Sequence, residues 1–404
     1  MRVLHLTPEY PPVIWGGLGT AVGGLVSASA RAGLTVGVLL VGGVLESGDR
    51  GYGGWQPISS ELLTGGVGQA IRNPEGATFF HVAPPDATEA GARLVRKWRP
   101  DVLHVHSSWL WPVAHAIRQQ TGTPIVFTVH SLDREEYEHG VFFADWQNQE
   151  MAMAAADRVI AISRSEKELI DRYCPECRGR VRIVGNGIDD TVEARRATRR
   201  DRRTESPIVL YSGRFVARKG IHELLSAIPI VLKGAPDTRF VLVGGYGGGA
   251  EVERTWMVDS LLAYRSRVHF TGWLTPTEVA RWYGAADVLV VPSWYEPFGM
   301  VILEGMLHGL PVAASHVGGP KEILEHKRTG LLFPPQDALA LAHAVLQFIE
   351  DPDLGRQIGG AAAEEVRRKW LWPQIVQRMG TVYHEVGGKR KDPGPRWRFL
   401  DVPA

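Results

Sequence analysis

The stretch VPSWYEPFGMVILEGMLHGLPVAAS, residues 291–315, carries one complete unit of the fold. A buried apolar strand ends at Ser293, Glu296 sits in a turn, Pro297 stands near the start of a helix, and LPVAAS is the next strand. Strand, helix and strand in that order form the βαβ unit of a parallel sheet. The same alternation extends both ways. Towards the carboxyl terminus come TGLLFP, a helix over Ala338–Glu350 and a further helical stretch from about Trp370 to Val386. Towards the amino terminus, PIVLYSGR, RFVLVGG, RVHFTGW and DVLVVPS read as strands, with a helix from Lys219 to Lys233. Residues 191–207, TVEARRATRRDRRTESP, interrupt the series with six Arg and no apolar periodicity, and read as a solvated linker. Before them RVLHLT, LTVGVLLV, DVLHVHS, PIVFTVH, RVIAIS and RVRIVGN repeat the pattern.

The expected architecture is therefore α/β, two Rossmann-like doubly wound domains at residues 1–190 and 208–370 joined by the 191–207 linker. A helix over 371–386 is expected to pack back towards the first domain, ahead of a basic Gly/Pro-rich tail at 387–404. Two such domains face each other across a deep cleft at the carboxyl ends of their sheets, where ligands belong. The length of 404 residues suits this division, at about 150 residues per domain. Hydrophobic residues at 44% and charged residues at 22% describe an ordinary globular chain and exclude collagen-like or disordered classes. Lys and Arg number 45 against 44 Asp and Glu, so no global field draws nucleic acid, and any anion must be met by local residues. The two Cys exclude a disulfide scaffold and fit a reducing compartment. The opening MRVLHLTPEYPP is too short for a signal peptide. The longest apolar run, residues 34–45, falls short of the roughly 18 residues a membrane span needs, so a cytoplasmic protein without an integral membrane segment is expected.

Three groups of residues carry chemistry. Gly16, Gly17 and Gly19 follow the first strand and precede an apolar helix, which sets bare amides and a helix N-terminus against an anion. Arg214, a planar fork, and Lys219, a point charge, follow the first strand of the second half and suit a diphosphate leaving group. Glu296 and Glu304 are eight residues apart, roughly 10 Å along a helix rising 1.5 Å per residue, too far to share a proton. They should meet different parts of one ligand, with the amides of Phe298, Gly299 and Met300 aimed at its anionic centre. A carboxylate at Glu304, amid apolar neighbours, needs a partner.

Taken together, GGLG, GRFVARKG, EPFGMVILEGM, VGGPKEIL and TGLLFPP resemble the retaining GT-B glycosyltransferases of the glycogen synthase, sucrose synthase and bacterial α-glycosyltransferase group, of the family-4 type with its E-x7-E element. The likeness runs from residue 1 to about 385. The resemblance implies transfer of a hexosyl group, glucosyl before others, from a nucleoside diphosphate sugar such as UDP-glucose or ADP-glucose to a hydroxyl acceptor, with retention and with neither metal nor other cofactor. By the same resemblance Glu304 holds the ribose hydroxyls, Glu296 a hydroxyl of the donor sugar, and Arg214 and Lys219 the diphosphate. His130 in FTVHSLD lies beside the donor sugar near its 6-hydroxyl. Gly16, Gly17, Phe298, Gly299, Met300 and Val301 line the donor site, and Asn186 in VGNGID stands near the interdomain cleft. The catalytic set implied is His130, Glu296, Arg214 and Lys219. Since no carboxylate stands out near His130 as a nucleophile, front-side attack assisted by the departing phosphate is expected.

Two departures weigh against a long glucan acceptor: Ile14 stands where glycogen synthases carry a Lys before the Gly pair, and Ser107, Ser108 and Trp109 replace their His-Asp-Trp run. Two other readings use the same scaffold. A nucleotide-sugar epimerase would convert donor alone, and a non-catalytic binding module would bind donor without turnover. Other signals are discounted. Asp351 and Asp353 read as a cap and turn rather than a metal site, and Cys174 and Cys177 form a lone CxxC. His104 and His106 share one side of a strand but lack a third histidine or a carboxylate, so they read as a weak site. GGYGGG at 244–249 reads either as a nucleotide-facing loop or as simply flexible chain, and Trp109, Trp111 and Trp146 either as stacking platforms for an acceptor sugar or as core residues.

Overall fold

The computed structural model describes residues 1–11, 16–42, 56–57, 69–138, 146–191, 194, 206–245 and 249–388. Ile14, most of the 191–207 linker, Tyr246–Gly248 of the Gly-rich loop and nearly all of the 387–404 tail lie outside the described residues.

The first domain is built on strands β1 (Arg2–Thr7), β2 (Thr35–Val41), β3 (Gln56–Pro57), β4 (Gln69–Arg72), β5 (Thr78–Val82), β6 (Val102–Val105), β7 (Ile125–Val129), β8 (Arg158–Ala161) and β9 (Val181–Ile183). Their order in the sheet is β3-β4-β5-β2-β1-β6-β7-β8-β9. Strands from β5 to β9 pair in parallel, as expected for runs that are apolar on both faces. The edge departs from the doubly wound expectation, because β4 is antiparallel to both β3 and β5. The turn between β4 and β5 explains it: the Asn73 carboxamide oxygen accepts the Ala77 N–H at 2.8 Å, and Gly76 adopts φ +94°.

The second domain carries β10 (Ile208–Gly213), β11 (Arg239–Gly244), β12 (Val268–Gly272), β13 (Val288–Val291), β14 (Val312–Ser315) and β15 (Leu331–Phe333), all parallel, in the order β12-β11-β10-β13-β14-β15. Strand order reverses direction between β10 and β13, and in the first sheet between β1 and β6. Loops leaving those strands part in opposite directions and open a crevice at each switch point. The helix expected from Lys219 begins at Ile221 instead, because Gly220 at φ +71° caps it and Ala217–Lys219 form a 3-10 turn.

Two lines of chain join the domains side by side, with Ile188 donating to the Trp370 carbonyl at 2.9 Å and accepting from the Trp372 N–H at 3.2 Å. The final helix, Trp372–Gly387, lies on the first domain, where Trp372, Ile375, Met379 and Tyr383 share a core with Val3, Leu25, Val102 and Ile160. The two domains also touch across the cleft. The hydroxyl of Tyr295 accepts from the Leu132 N–H at 2.9 Å and donates to Glu166 at 3.2 Å, and Arg218 meets Glu136 at 2.9 Å. Glu322, in VGGPKEIL, accepts from the Arg164 and Ser165 amides, each at 2.8 Å, and so caps the first-domain helix Arg164–Tyr173 from the second domain. No helix among the described residues is long and apolar enough to cross a membrane.

Candidate active site

Between the switch points lies a cavity of about 480 Å³. From the first domain Gly16, Gly17, His130 and Asn186 line it, and from the second Arg214, Lys219, Glu296, Phe298, Gly299, Met300 and Val301. Glu304 is not in that lining: it sits a turn further along the helix Met300–Leu307, accepting a hydrogen bond from Tyr283 at 2.6 Å. Burial raises the pKa of Glu304, and the Tyr283 hydroxyl works against that rise.

The second-domain wall is assembled by three loops at strand ends. After β10, the chain turns through Arg214 and the 3-10 turn to Lys219, and Gly220 passes so close to β13's exit that a Cβ there would lie 1.9 Å from the Pro292 carbonyl oxygen. Lys219 then reaches Glu296 at 2.6 Å, and Ser293 donates to the same carboxylate oxygen at 3.2 Å. Burial on its own would raise Glu296, but the Lys219 ammonium and its hydrogen bond bring the carboxyl below its usual range. Burial draws Lys219 down, with Glu296 opposing. The pair stands at the cavity wall. Gly299, at φ +105°, turns the chain into the helix Met300–Leu307, whose first amides no side chain caps. The third loop is VGGPKEIL: a Cβ on Gly318 would lie 2.1 Å from the Glu296 carbonyl oxygen and one on Gly319 1.9 Å from that of Phe298, while the Gly319 N–H donates to the Glu296 backbone carbonyl at 2.9 Å. This glycine pair holds the glutamate turn in place by backbone contact.

On the first-domain wall, an added Cβ on Gly16 or Gly17 would meet nothing within 4 Å, so this backbone borders open space. Glu9 holds the start of the following helix by accepting the Gly19 N–H at 2.8 Å. The helix Gly17–Arg31 thus presents its N-terminus to the cavity opposite that of Met300–Leu307, and both favour an anion between them.

Several residues that sequence reasoning passed over complete the site. Arg218 lines the cavity and pairs with Glu136 across the domains; its side chain is 3% exposed, although its place in ARKG reads as a surface charge. Trp273, at the end of RVHFTGW, is 55% exposed and lines the cavity, offering an aromatic face. Of the Trp expected as platforms, Trp109 is exposed, Trp111 is buried in the first-domain core, and Trp146 carries the Arg134 guanidinium 5.4 Å above its ring. Asp351 caps the helix Pro352–Lys369 by accepting the Leu354 N–H, and Asp353 pairs with Arg356. The nitrogens of His5, His104 and His106 lie within 4.8 Å of one another, so the third histidine that the sequence reading missed comes from β1.

Opposed helix N-termini, two nearby arginines and a lysine–glutamate pair between two Rossmann-like domains make a cavity wall suited to an anion. The family model described as Glycosyltransferase Family 4 matches residues 15–192, and that described as Glycosyl transferases group 1 matches residues 206–351. The glycogen synthase of Mycobacterium tuberculosis is 31% identical over 427 residues, covering 99% of both chains. The chain belongs to the glycogen synthase-like GT-B glycosyltransferases. The alpha-maltose-1-phosphate synthase of Mycolicibacterium smegmatis is 30% identical to this glycosyltransferase, over 96% of the present chain and all of its own. Among solved structures, the sucrose-phosphate synthase of Thermosynechococcus elongatus superposes with a TM-score of 0.75 at 27% identity, covering 96% of this glycosyltransferase and 99% of that chain. The glycosyltransferase is thus an enzyme of carbohydrate metabolism with the GT-B fold.

Proposed function

We propose that this glycosyltransferase moves a hexosyl group, glucosyl before others, from a nucleoside diphosphate sugar to a hydroxyl acceptor, with retention of the anomeric configuration and without a metal ion. The observation that carries the reading is the Lys219–Glu296 pair at 2.6 Å, set in a cavity shared with Arg214, Arg218 and the two helix starts. These groups supply from the protein the positive charge that a departing diphosphate needs. In this reading Arg214, Lys219 and the amides of Gly17, Met300 and Val301 hold the diphosphate, and Glu296 accepts from a hydroxyl of the donor sugar. Trp273 stacks on the base, Glu304 takes the ribose hydroxyls, and His130 meets the sugar from the first domain. The names of the mycobacterial relatives support a glucosyl donor. A cytoplasmic location goes with the reading, supported by the free and buried Cys174 and Cys177.

Front-side attack fits the carboxylates of the cavity. Glu9 accepts from Gly19, Glu136 is paired with Arg218, and Glu296 with Lys219. Each is thus already given a positioning contact within the protein. In the proposed step the bond from the anomeric carbon to the diphosphate oxygen breaks as the acceptor oxygen bonds to that carbon on the same face, and the leaving phosphate oxygen takes the acceptor proton.

The test is a panel of UDP-, ADP- and GDP-sugars offered with glucose, glucose 1-phosphate and maltooligosaccharide. Release of nucleoside diphosphate that requires both donor and acceptor, and persists in chelator, is expected. Donor isomerisation without acceptor, or tight donor binding without turnover, overturns the reading in favour of an epimerase or a binding module.

A further inference from the structure

His130 is the outermost member of a line of imidazoles running into the first domain. Its Nε2 lies 3.1 Å from His106 Nδ1, and His106 Nε2 lies 2.9 Å from His5 Nδ1. The planes of the His5 and His106 rings are nearly parallel, 10° apart with centroids 5.2 Å apart, as fits an edge-to-edge N···N contact. His104 flanks them, 4.0 Å from His106 between ring centroids, but its nitrogens are taken by the Tyr383 and Thr128 hydroxyls at 2.7 and 2.6 Å. Sheet register makes the line: His5 is paired with His104 on adjacent strands β1 and β6, and His106 and His130 follow the ends of β6 and β7.

A neutral imidazole has one N–H and one lone pair. Burial holds all four rings neutral, drawing His130 down to about 4 and His5 to about 3, with His104 and His106 well below their usual value. The two hydrogen bonds through His106 must therefore run in one sense. If His130 donates inward, the line ends with a His5 Nε2–H that is buried and, among the described residues, has no partner. If His5 donates outward, that end is a bare lone pair, and a buried orphan acceptor is tolerated better than a buried orphan N–H. The outward sense commits His130 Nε2 as an acceptor and leaves its single proton on Nδ1. We propose that His5 and His106 are positioning residues that lock His130 as the Nδ1–H tautomer, so that its ring meets the donor sugar as a neutral hydrogen-bond donor and not as a base. The sugar as ligand rests on the function proposed above; the tautomer does not. One consequence is that the acceptor proton must go elsewhere than His130, which agrees with its transfer to the leaving phosphate.

The full chain, labelled with ¹⁵N at histidine and assigned with a His130→Gln control, reports the tautomer by long-range ¹H–¹⁵N correlation at neutral pH. An Nδ1–H ring at His130 is expected, and an Nε2–H ring overturns the proposal whether or not the protein transfers sugar. Stoichiometric metal on the purified protein, bound through His5, His104 and His106, also overturns it, because coordination would claim the lone pairs. In kinetics, His106→Gln keeps an N–H able to reach His130 and should retain most of kcat, whereas His106→Phe should lower kcat about 10-fold or more with a smaller change in donor KM. A merely structural role predicts the reverse order, the buried aromatic ring being tolerated better than the amide. Should the Phe variant not fold, the wild-type tautomer alone decides.

Discussion

Lys219 and Glu296 show how a pair of ordinary charges becomes a working site. Neither gains much from the other in water, but at 2.6 Å in the wall of a cavity each offsets the burial that disfavours the other's charge. In the proposed reaction a diphosphate arriving beside Lys219 would gain a cation already fixed in place. Lys219→Ala should therefore lower kcat about 100-fold or more, the range seen on deleting one electrostatic stabiliser of a developing charge. Initial rates at saturating donor check it, and an unchanged kcat would remove Lys219 from the chemistry. These two residues and Arg214 were legible in the sequence, because charges that follow apolar strands in an α/β pattern fall at the crevice. Arg218 and Trp273 were not, since one sits among other basic residues and the other at a strand end. The histidine line was illegible for a different reason: His5 stands 101 residues before His106, and only sheet register brings them together.

At the scale of elements, the glutamate turn is held by VGGPKEIL. A Cβ on Gly319 would lie 1.9 Å from the Phe298 carbonyl oxygen, a backbone atom that cannot swing away. Gly319→Ala should destabilise the protein by about 1–3 kcal/mol, as overpacking does, and weaken donor binding at the displaced Glu296 turn. Chemical denaturation with donor titration tests both, and wild-type values in each would show that the contact is slack. The same run reaches the other domain through Glu322, close to the Glu166–Tyr295 contact. Burial pushes the Glu166 carboxyl up to about 8 from 4.5. The folded state then binds the proton more tightly than the unfolded chain. Its contribution to stability is complete below about pH 4.5 and is lost as pH rises through about 8. Glu166→Gln should remove that dependence, so its Tm relative to wild type should rise between pH 5 and pH 8; a constant difference across this range would contradict the buried proton. The motif run marked this loop in the sequence, but its capping of a helix in the other domain depends on how the domains meet.

Across the whole molecule, the alternation of strand and helix gave the two parallel sheets because both faces of each sheet are covered, which leaves apolar runs easy to read. The antiparallel β4 escaped because an Asn-Pro-Glu-Gly turn, not hydrophobic pattern, sets its direction. Helix boundaries at Gly220 were displaced by a backbone crossing that no local propensity encodes. What the fold achieves is to bring two helix N-termini from different domains to opposite walls of one cavity, with the cations on one side and the imidazole line on the other. That arrangement suits the retaining transfer from a diphosphate sugar proposed above. The direct test is the anomeric configuration of the new glycosidic bond formed from an α-linked nucleoside diphosphate glucose and a hydroxyl acceptor, read by ¹H NMR in the presence of chelator. An α-linked product, with one nucleoside diphosphate released for each glycosidic bond, is the predicted result; a β-linked product, or loss of transfer in chelator, would contradict it.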